Sequence, residues 1–174
     1  MAIDPRDLAK DAVATADERT TLAAFLRYQR DTFEWKCAGL DAAQMARRSV
    51  EPSSMSLLGL VRHLADVERY WFRSVMVGTD AKPHFSTAGS DDGAFDDAGP
   101  DPALVSRAWE TWRAEVAFAD EFVATAPDLE VTGNDRWSGA TSLRWVLIHM
   151  VEEYGRHNGH ADLLRERIDG AVGQ

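Results

Sequence analysis

The sequence predicts an all-α protein, a four-helix bundle with a long crossover between its second and third helices. Apolar residues recur at helical spacing in four long segments, and no segment alternates with the period of a strand. The stretch 78–101, rich in Gly, Asp, Ser and Pro, is long for a connection inside a compact domain. A crossover of that length lets two consecutive helices run parallel. The chain of 174 residues suffices for one domain, which we expect to span 1–174.

The four helical patterns have recognisable ends. Ser54 or Ser56 is placed to cap the second helix and Thr141 the fourth, and Pro102 suits the first turn of the third. Gly78 and Gly170 follow the second and fourth patterns, where glycine can end a helix. The predicted helices span residues 17–39, 56–77, 102–125 and 142–168.

Charge and hydropathy limit the partners that the chain can have. The formal net charge is -10, so binding to nucleic acid or to an anionic membrane surface is disfavoured. No apolar run approaches the roughly 20 residues that span a bilayer. No basic start followed by an apolar stretch indicates a signal peptide, so we expect a cytoplasmic protein. Six tryptophans suggest exposed aromatic surface, which leads us to expect a homodimer.

The single cysteine, Cys37, excludes an internal disulfide and a cysteine-rich zinc site. Any metal must therefore be held by nitrogen and oxygen ligands. Cys37 falls late in the first helical pattern, where a small buried hydrophobic side chain is a better interpretation than a nucleophile.

Three of the five histidines fall within twelve residues of the fourth helix. Positions 149, 153 and 157 advance by only about 40° each, and position 160 returns close to 149. One helix face therefore carries His149, Glu153, His157 and His160. Two interpretations stay open at this point: polar groups that are hydrogen-bonded to each other and to water, or ligands of a metal.

His63 favours the metal, because it lies between Leu60 and Val67 at the edge of the apolar stripe of the second helix. Bundles build metal sites from facing helices, so His63 can join Glu153 and His157 as a third ligand. Two imidazoles and one carboxylate suit a divalent metal, with zinc or nickel preferred and manganese or iron as alternatives. Three protein ligands leave coordination positions open, as in working rather than structural sites.

Other polar residues are candidates for supporting roles. Glu68 lies on the side of the second helix that carries Leu64 and Trp71, so we expect it to be buried and to hydrogen-bond to the metal ligands. His84 lies in the acidic loop and is expected to be solvated.

Four motifs extend along nearly the whole chain: WKCAGL at 35–40, SLLGLVRHL at 56–64, LRWVL at 143–147 and EEYGRHNGHADLLRE at 152–166. Glu68 and Trp71 continue the second of them. With these motifs the sequence resembles the DinB/YfiT-like family of metal-binding four-helix bundles, and in particular an actinobacterial, mycothiol-transferase-like branch.

The resemblance implies a metal held by one histidine of helix two and an i, i+4 pair of helix four, which match His63, Glu153 and His157. Many members have histidine at the position of Glu153, whereas members that isomerise maleylpyruvate have glutamate, so this residue can change which metal is preferred. His149 and His160 align beside the three ligands. Characterised relatives transfer or isomerise with low-molecular-weight thiols such as mycothiol or bacillithiol.

These inferences predict a divalent-metal-dependent transferase that uses a low-molecular-weight thiol against a small-molecule electrophile. A metal deprotonates a bound thiol, and the thiolate attacks. Arg144 and Arg156 could hold a substrate carboxylate, and no residue is assigned as the catalytic one. Two alternatives remain: a metal-dependent hydrolase with Glu152 or His160 as the base, and a non-catalytic stress protein that binds a metal or small ligand.

Overall fold

The structure, a computed structural model, describes residues 14–86 and 93–173. The chain is mostly helical, and the described residues form one two-stranded antiparallel sheet. The helices are α1 (Glu18–Cys37), α2 (Ala42–Ala46), α3 (Leu57–Glu68), α4 (Gly93–Asp96), α5 (Pro102–Thr125) and α6 (Leu143–Asp169), and the strands are β1 (Thr132–Asp135) and β2 (Gly139–Ser142). Helix α3 continues without a break as a π-helix, Arg69–Met76.

The ends of the long helices follow from local side-chain chemistry. The hydroxyl oxygen of Ser56 accepts a hydrogen bond from the backbone N–H of Gly59 and so caps α3. The prediction that Thr141 caps α6 is wrong, because the cap is Ser142, whose Oγ accepts from the N–H of Trp145. Helix α5 has the predicted bounds, and Gly170 ends α6 with a φ of 79°.

The expectation that no strand is present is wrong for the connection between α5 and α6, where β1 and β2 form a hairpin. Their register pairs Thr132 with Ser142 and Asp135 with Gly139. The strands are too short and too polar to show a two-residue hydrophobic period. Gly133 lies against the backbone of Val75, where a Cβ atom would come within 2.2 Å of a carbonyl oxygen, so only glycine lets the hairpin pack on the π-helix.

Residues 84–86 of the stretch 78–101 are held against α3 by one carboxylate. Asp66 accepts hydrogen bonds from the backbone N–H groups of His84, Phe85 and Ser86. His84, which we expected to be solvated, instead lies with Nε2 2.9 Å from a carboxylate oxygen of Glu115, and its side chain is one-third exposed. The predicted loop also contains the short helix α4, and its residues 87–92 lie outside the described part of the chain.

A buried network of polar side chains connects the four long helices. Arg30 of α1 donates two hydrogen bonds of 2.7 Å to Glu68 of α3, whose side chain is 0% exposed. The hydroxyl of Tyr154 on α6 donates to Glu68 at 2.8 Å, and the indole N–H of Trp112 on α5 donates to that hydroxyl at 2.8 Å. Arg30 also pairs with Asp120 of α5. Every long helix thus contributes to one set of hydrogen bonds.

The Arg30–Glu68 pair gives the first prediction. Glu68→Gln should lower the free energy of unfolding by about 3 kcal/mol, because it leaves the buried guanidinium with only one charged partner, the more exposed Asp120. Urea denaturation measures the change.

The control is Arg27→Ala, which breaks the largely exposed pair of Arg27 with Asp31 and should change stability little. Equal effects of the two substitutions would show that the buried pair does not hold the helices.

Candidate metal centre

Helices α3 and α6 bring His63, Glu153 and His157 together. The Nε2 atom of His63 lies 3.1 Å from Oε1 of Glu153, and the Nε2 atom of His157 lies 3.2 Å from the same oxygen. One donor atom from each residue lies within 4.8 Å of the other two. Three side chains from two helices therefore point their donor atoms at one small volume, as the spacing on α6 and the position of His63 on α3 predict.

The three donor groups suit a divalent cation. A tetrahedral zinc ion holds nitrogen and oxygen ligands at about 2.0–2.1 Å, which places neighbouring donor atoms about 3.4 Å apart. The two distances to Oε1 of Glu153 are close to that spacing. The set has two nitrogen donors, one oxygen donor and no sulfur, so it could hold a metal ion without fixing which one.

The carboxyl group of Glu153 is tuned by the two imidazoles. Hydrogen bonds from His157 and then His63 hold the pKa of Glu153 well below its usual range, against the opposing effect of burial. Arg156 adds a guanidinium 3.5 Å from the second oxygen. Glu153 is therefore a carboxylate at neutral pH, which is the form that binds a cation.

His160 fixes the orientation of His157. The Nδ1 atoms of the two rings lie 3.2 Å apart, so one of them donates a hydrogen bond to the other. Burial, and then the neighbouring His157, lower the pKa of His160 and favour its neutral form. If a metal took the place of the Nε2–H hydrogen bond to Glu153, a neutral His160 accepting from Nδ1–H of His157 would leave the Nε2 lone pair of His157 to bind it.

The other predicted site residues have different surroundings. His149 lies one helical turn before Glu153, but its ring contacts Trp71 and Trp145, with centroid distances of 4.8 and 5.0 Å. Glu68 is buried as expected, but its carboxylate binds Arg30 and Tyr154. The expectation that Glu68 hydrogen-bonds to the metal ligands is therefore wrong, because its carboxylate is engaged by Arg30 and Tyr154 in the core.

The two candidate arginines also differ from each other. Arg144 pairs with Glu18 and Glu130 at the start of α6, so two carboxylates already contact its guanidinium, and its contact with a substrate carboxylate stays a prediction. Arg156 pairs with Glu152 and reaches Glu153, which keeps it beside the three donor groups. Glu152 is half exposed and engaged by that arginine.

Sequence reasoning missed one neighbour of the site. Phe95 of the short helix α4 stacks on His63, with ring centroids 5.8 Å apart and planes inclined by 29°. Phe95 lies in an acidic, glycine-rich stretch without hydrophobic periodicity, so the sequence contains no signal for this contact.

A sequence model of the mycothiol-S-transferase family matches residues 21–170, which include all three donor residues. The chain belongs to the mycothiol-S-transferase family. This membership confirms the resemblance that the motifs indicated. The family's name describes the transfer of mycothiol. No curated protein matches the chain significantly.

The fold of this family member is similar to one solved structure, described as that of a conserved protein from Enterococcus faecalis. The two chains are 15% identical, and the TM-score is 0.62. The alignment covers 90% of this chain and 100% of the other. At this identity the likeness concerns the fold alone. Among the described helices, none is long and apolar enough to cross a membrane.

Cys37 is removed from the chemistry by burial. It lies at the end of α1 with a fully buried environment that raises the pKa of its thiol to about 12. At neutral pH the side chain is therefore a thiol rather than a thiolate, and it is a poor nucleophile.

The state of Cys37 gives the second prediction. In the folded protein at pH 8, a chromogenic aromatic disulfide should label Cys37 far more slowly than it labels free cysteine. The reason is that little of the Cys37 thiol is ionised and that the buried side chain is hard to reach. In urea, which unfolds the protein, labelling should be as fast as that of free cysteine and should stop at one thiol per chain. Rapid labelling of the folded protein would restore Cys37 as a candidate nucleophile.

Proposed function

We propose that this protein is a divalent-metal-dependent transferase that joins a low-molecular-weight thiol, mycothiol or a close analogue, to an electrophilic small molecule. The observation that carries the proposal is the convergence of His63, Glu153 and His157 in a member of the mycothiol-S-transferase family. The buried thiol of Cys37 supports it, since the chain then needs a thiol from outside. Zinc or nickel suits the donors best, with manganese or iron as alternatives.

Transfer of the thiol to the electrophile needs no oxidant, reductant or third reactant. The S–H bond of the thiol breaks, and its proton passes to water. The sulfur forms a bond to the electrophilic carbon, and a leaving group departs with its bonding electrons. When bound, a divalent metal would hold the thiol as its thiolate and so supply the nucleophile at neutral pH.

The protein's own residues have distinct tasks in this proposal. His63, Glu153 and His157 would hold the metal, and His160 would keep the ring of His157 in the required tautomer. Arg156 stabilises the charge of Glu153 and lies where it could meet an anionic group of the substrate. Glu152 or His160 would serve as the base if the bound species were water instead, which is the hydrolase alternative.

We propose that the four long helices form a bundle in which the segment 78–101 acts as the crossover, and that the protein acts in the cytoplasm as a homodimer. Its partners would be the thiol and the electrophile, without nucleic acid, in keeping with the net charge of -10.

The third prediction concerns metal binding. After reconstitution with Zn²⁺, Ni²⁺, Mn²⁺ or Fe²⁺, the variants His63→Ala, Glu153→Ala and His157→Ala should each lose most of the metal that the unaltered protein retains. His160→Ala should bind it roughly 10–100-fold more weakly, because it removes only the hydrogen bond to a ligand. Elemental analysis after gel filtration measures the content.

The matched control is His84→Ala, which removes a histidine that is bound to Glu115 instead of Glu153. It should keep the full metal content. If the three ligand variants also keep it, the histidines are a hydrogen-bonded cluster and the metal-dependent function is excluded.

The fourth prediction concerns turnover. Metal-loaded protein should consume an electrophile such as 1-chloro-2,4-dinitrobenzene only when thiol is present, and His157→Ala should abolish the enzymatic rate. Product is measured by absorbance of the thioether. Hydrolysis of esters or amides without thiol would favour the hydrolase instead, and a bound metal without either activity would favour the non-catalytic alternative.

A further inference from the structure

Three aromatic side chains form a wall on one side of the metal site. Trp71 contacts Trp145 and His149, with ring centroids 5.2 and 4.8 Å apart, and Trp145 stacks on His149 at 5.0 Å with an interplanar angle of 15°. We call Trp71, Trp145 and His149 the aromatic wall. Its members come from the π-helix and from α6, the same two continuous helices that supply the three donor groups.

The aromatic wall is continuous with the candidate metal centre. His63 lies opposite Glu153 and His157, whereas Trp71 lies opposite Trp145 and His149, so α3 and its π-helical continuation run antiparallel to α6. His149 precedes Glu153 by one turn, which is about 6 Å along the axis, and Trp145 precedes it by about 12 Å. The aromatic wall therefore begins one helical turn from Glu153, on the two helices that carry the donor groups.

The aromatic wall is partly exposed to solvent. Trp71 is buried and anchors the wall, whereas Trp145 is 44% exposed and the side chains of His149 and His63 are about one-quarter exposed. The apolar surface of an exposed tryptophan ring is unfavourable in water, so a ligand that covers the ring gains free energy.

A second feature of the backbone points to the same place. The eight-residue π-helix begins at Arg69 and includes Trp71. π-Helical segments are rare and occur frequently at functional sites, because the extra residue per turn re-aims side chains. Here the side chain that the segment presents to α6 is the anchor of the aromatic wall.

We propose that the aromatic wall binds the body of the electrophile, so that the substrates of this protein are flat, electron-poor aromatic compounds of one or two rings. The inference rests on the proposed function, because it assumes that the reactive carbon lies at the donor groups. The faces of the indole and imidazole rings carry partial negative charge and favour stacking with an electron-poor ring.

The test measures binding of an unreactive aromatic compound to the full chain. Equilibrium dialysis with 1,3-dinitrobenzene, and with nitrocyclohexane as the saturated counterpart, needs neither thiol nor metal. The unaltered protein should bind the aromatic compound more tightly. Trp145→Ala should weaken that binding about three- to tenfold, as expected for the loss of one stacked ring. Trp145→Phe should retain most of it.

The control variant is Leu163→Ala, which removes an exposed apolar side chain on α6 beyond the donor groups and should leave binding unchanged. Equal binding of the aromatic and saturated compounds would overturn the proposal. So would Trp145→Ala behaving like Leu163→Ala. If Trp145→Ala converts a dimer to a monomer in sedimentation without weakening the probe, the wall is a contact between copies and the proposal is wrong.

The outcomes separate this inference from the proposed function. If dialysis gives the expected pattern but no thiol yields a product, the proposed transferase is wrong and the aromatic wall remains a binding site. If turnover is found but Trp145→Ala raises KM no more for 1-chloro-2,4-dinitrobenzene than for iodoacetamide, the transferase remains and the substrate class is overturned.

Discussion

The buried bond between Arg30 and Glu68 is the interaction on which the arrangement of the helices depends. Both charged groups are removed from water, and Tyr154 supplies the hydrogen bond that completes the environment of the carboxylate. Burying such a pair contributes little net stability compared with apolar packing, but an uncompensated charge in the same place is very costly. Any packing that separated α1 from α3, or α6 from either, would leave one of these groups without a partner.

The same network fixes the position of the metal donors. Glu68 lies five residues after His63 on α3, and Tyr154 directly follows Glu153 on α6. Because Glu68 and Tyr154 are hydrogen-bonded to each other, the relative register of the two helices is set close to the site. The donor groups then lie on the more open side of the same helices, with the side chain of His63 27% exposed. A buried polar network thus supports a site that is partly exposed to solvent at His63.

Much of the site follows from sequence because it depends on helical geometry. The spacing of Glu153 and His157 specifies one face, and the apolar neighbours of His63 direct it toward that face. What could not be predicted depends on tertiary contacts without periodicity. The role of Glu68 requires knowing that Arg30 lies opposite it, and the stacking of Phe95 on His63 arises from a four-residue helix in a polar loop. The hairpin was missed because its strands lack hydrophobic alternation, and its fit depends on close contact at Gly133.

The central claim is that the three donor groups hold a metal that accepts an external thiol. X-ray absorption at the zinc edge of zinc-loaded Cys37→Ser protein tests it directly, since this variant has no thiol of its own. Without added thiol, the account predicts only nitrogen and oxygen neighbours at about 2.0–2.1 Å. With mycothiol or an analogue, one sulfur neighbour should appear at about 2.3 Å. A spectrum unchanged by saturating thiol, or one that His63→Ala and His157→Ala leave unaltered, would contradict the account.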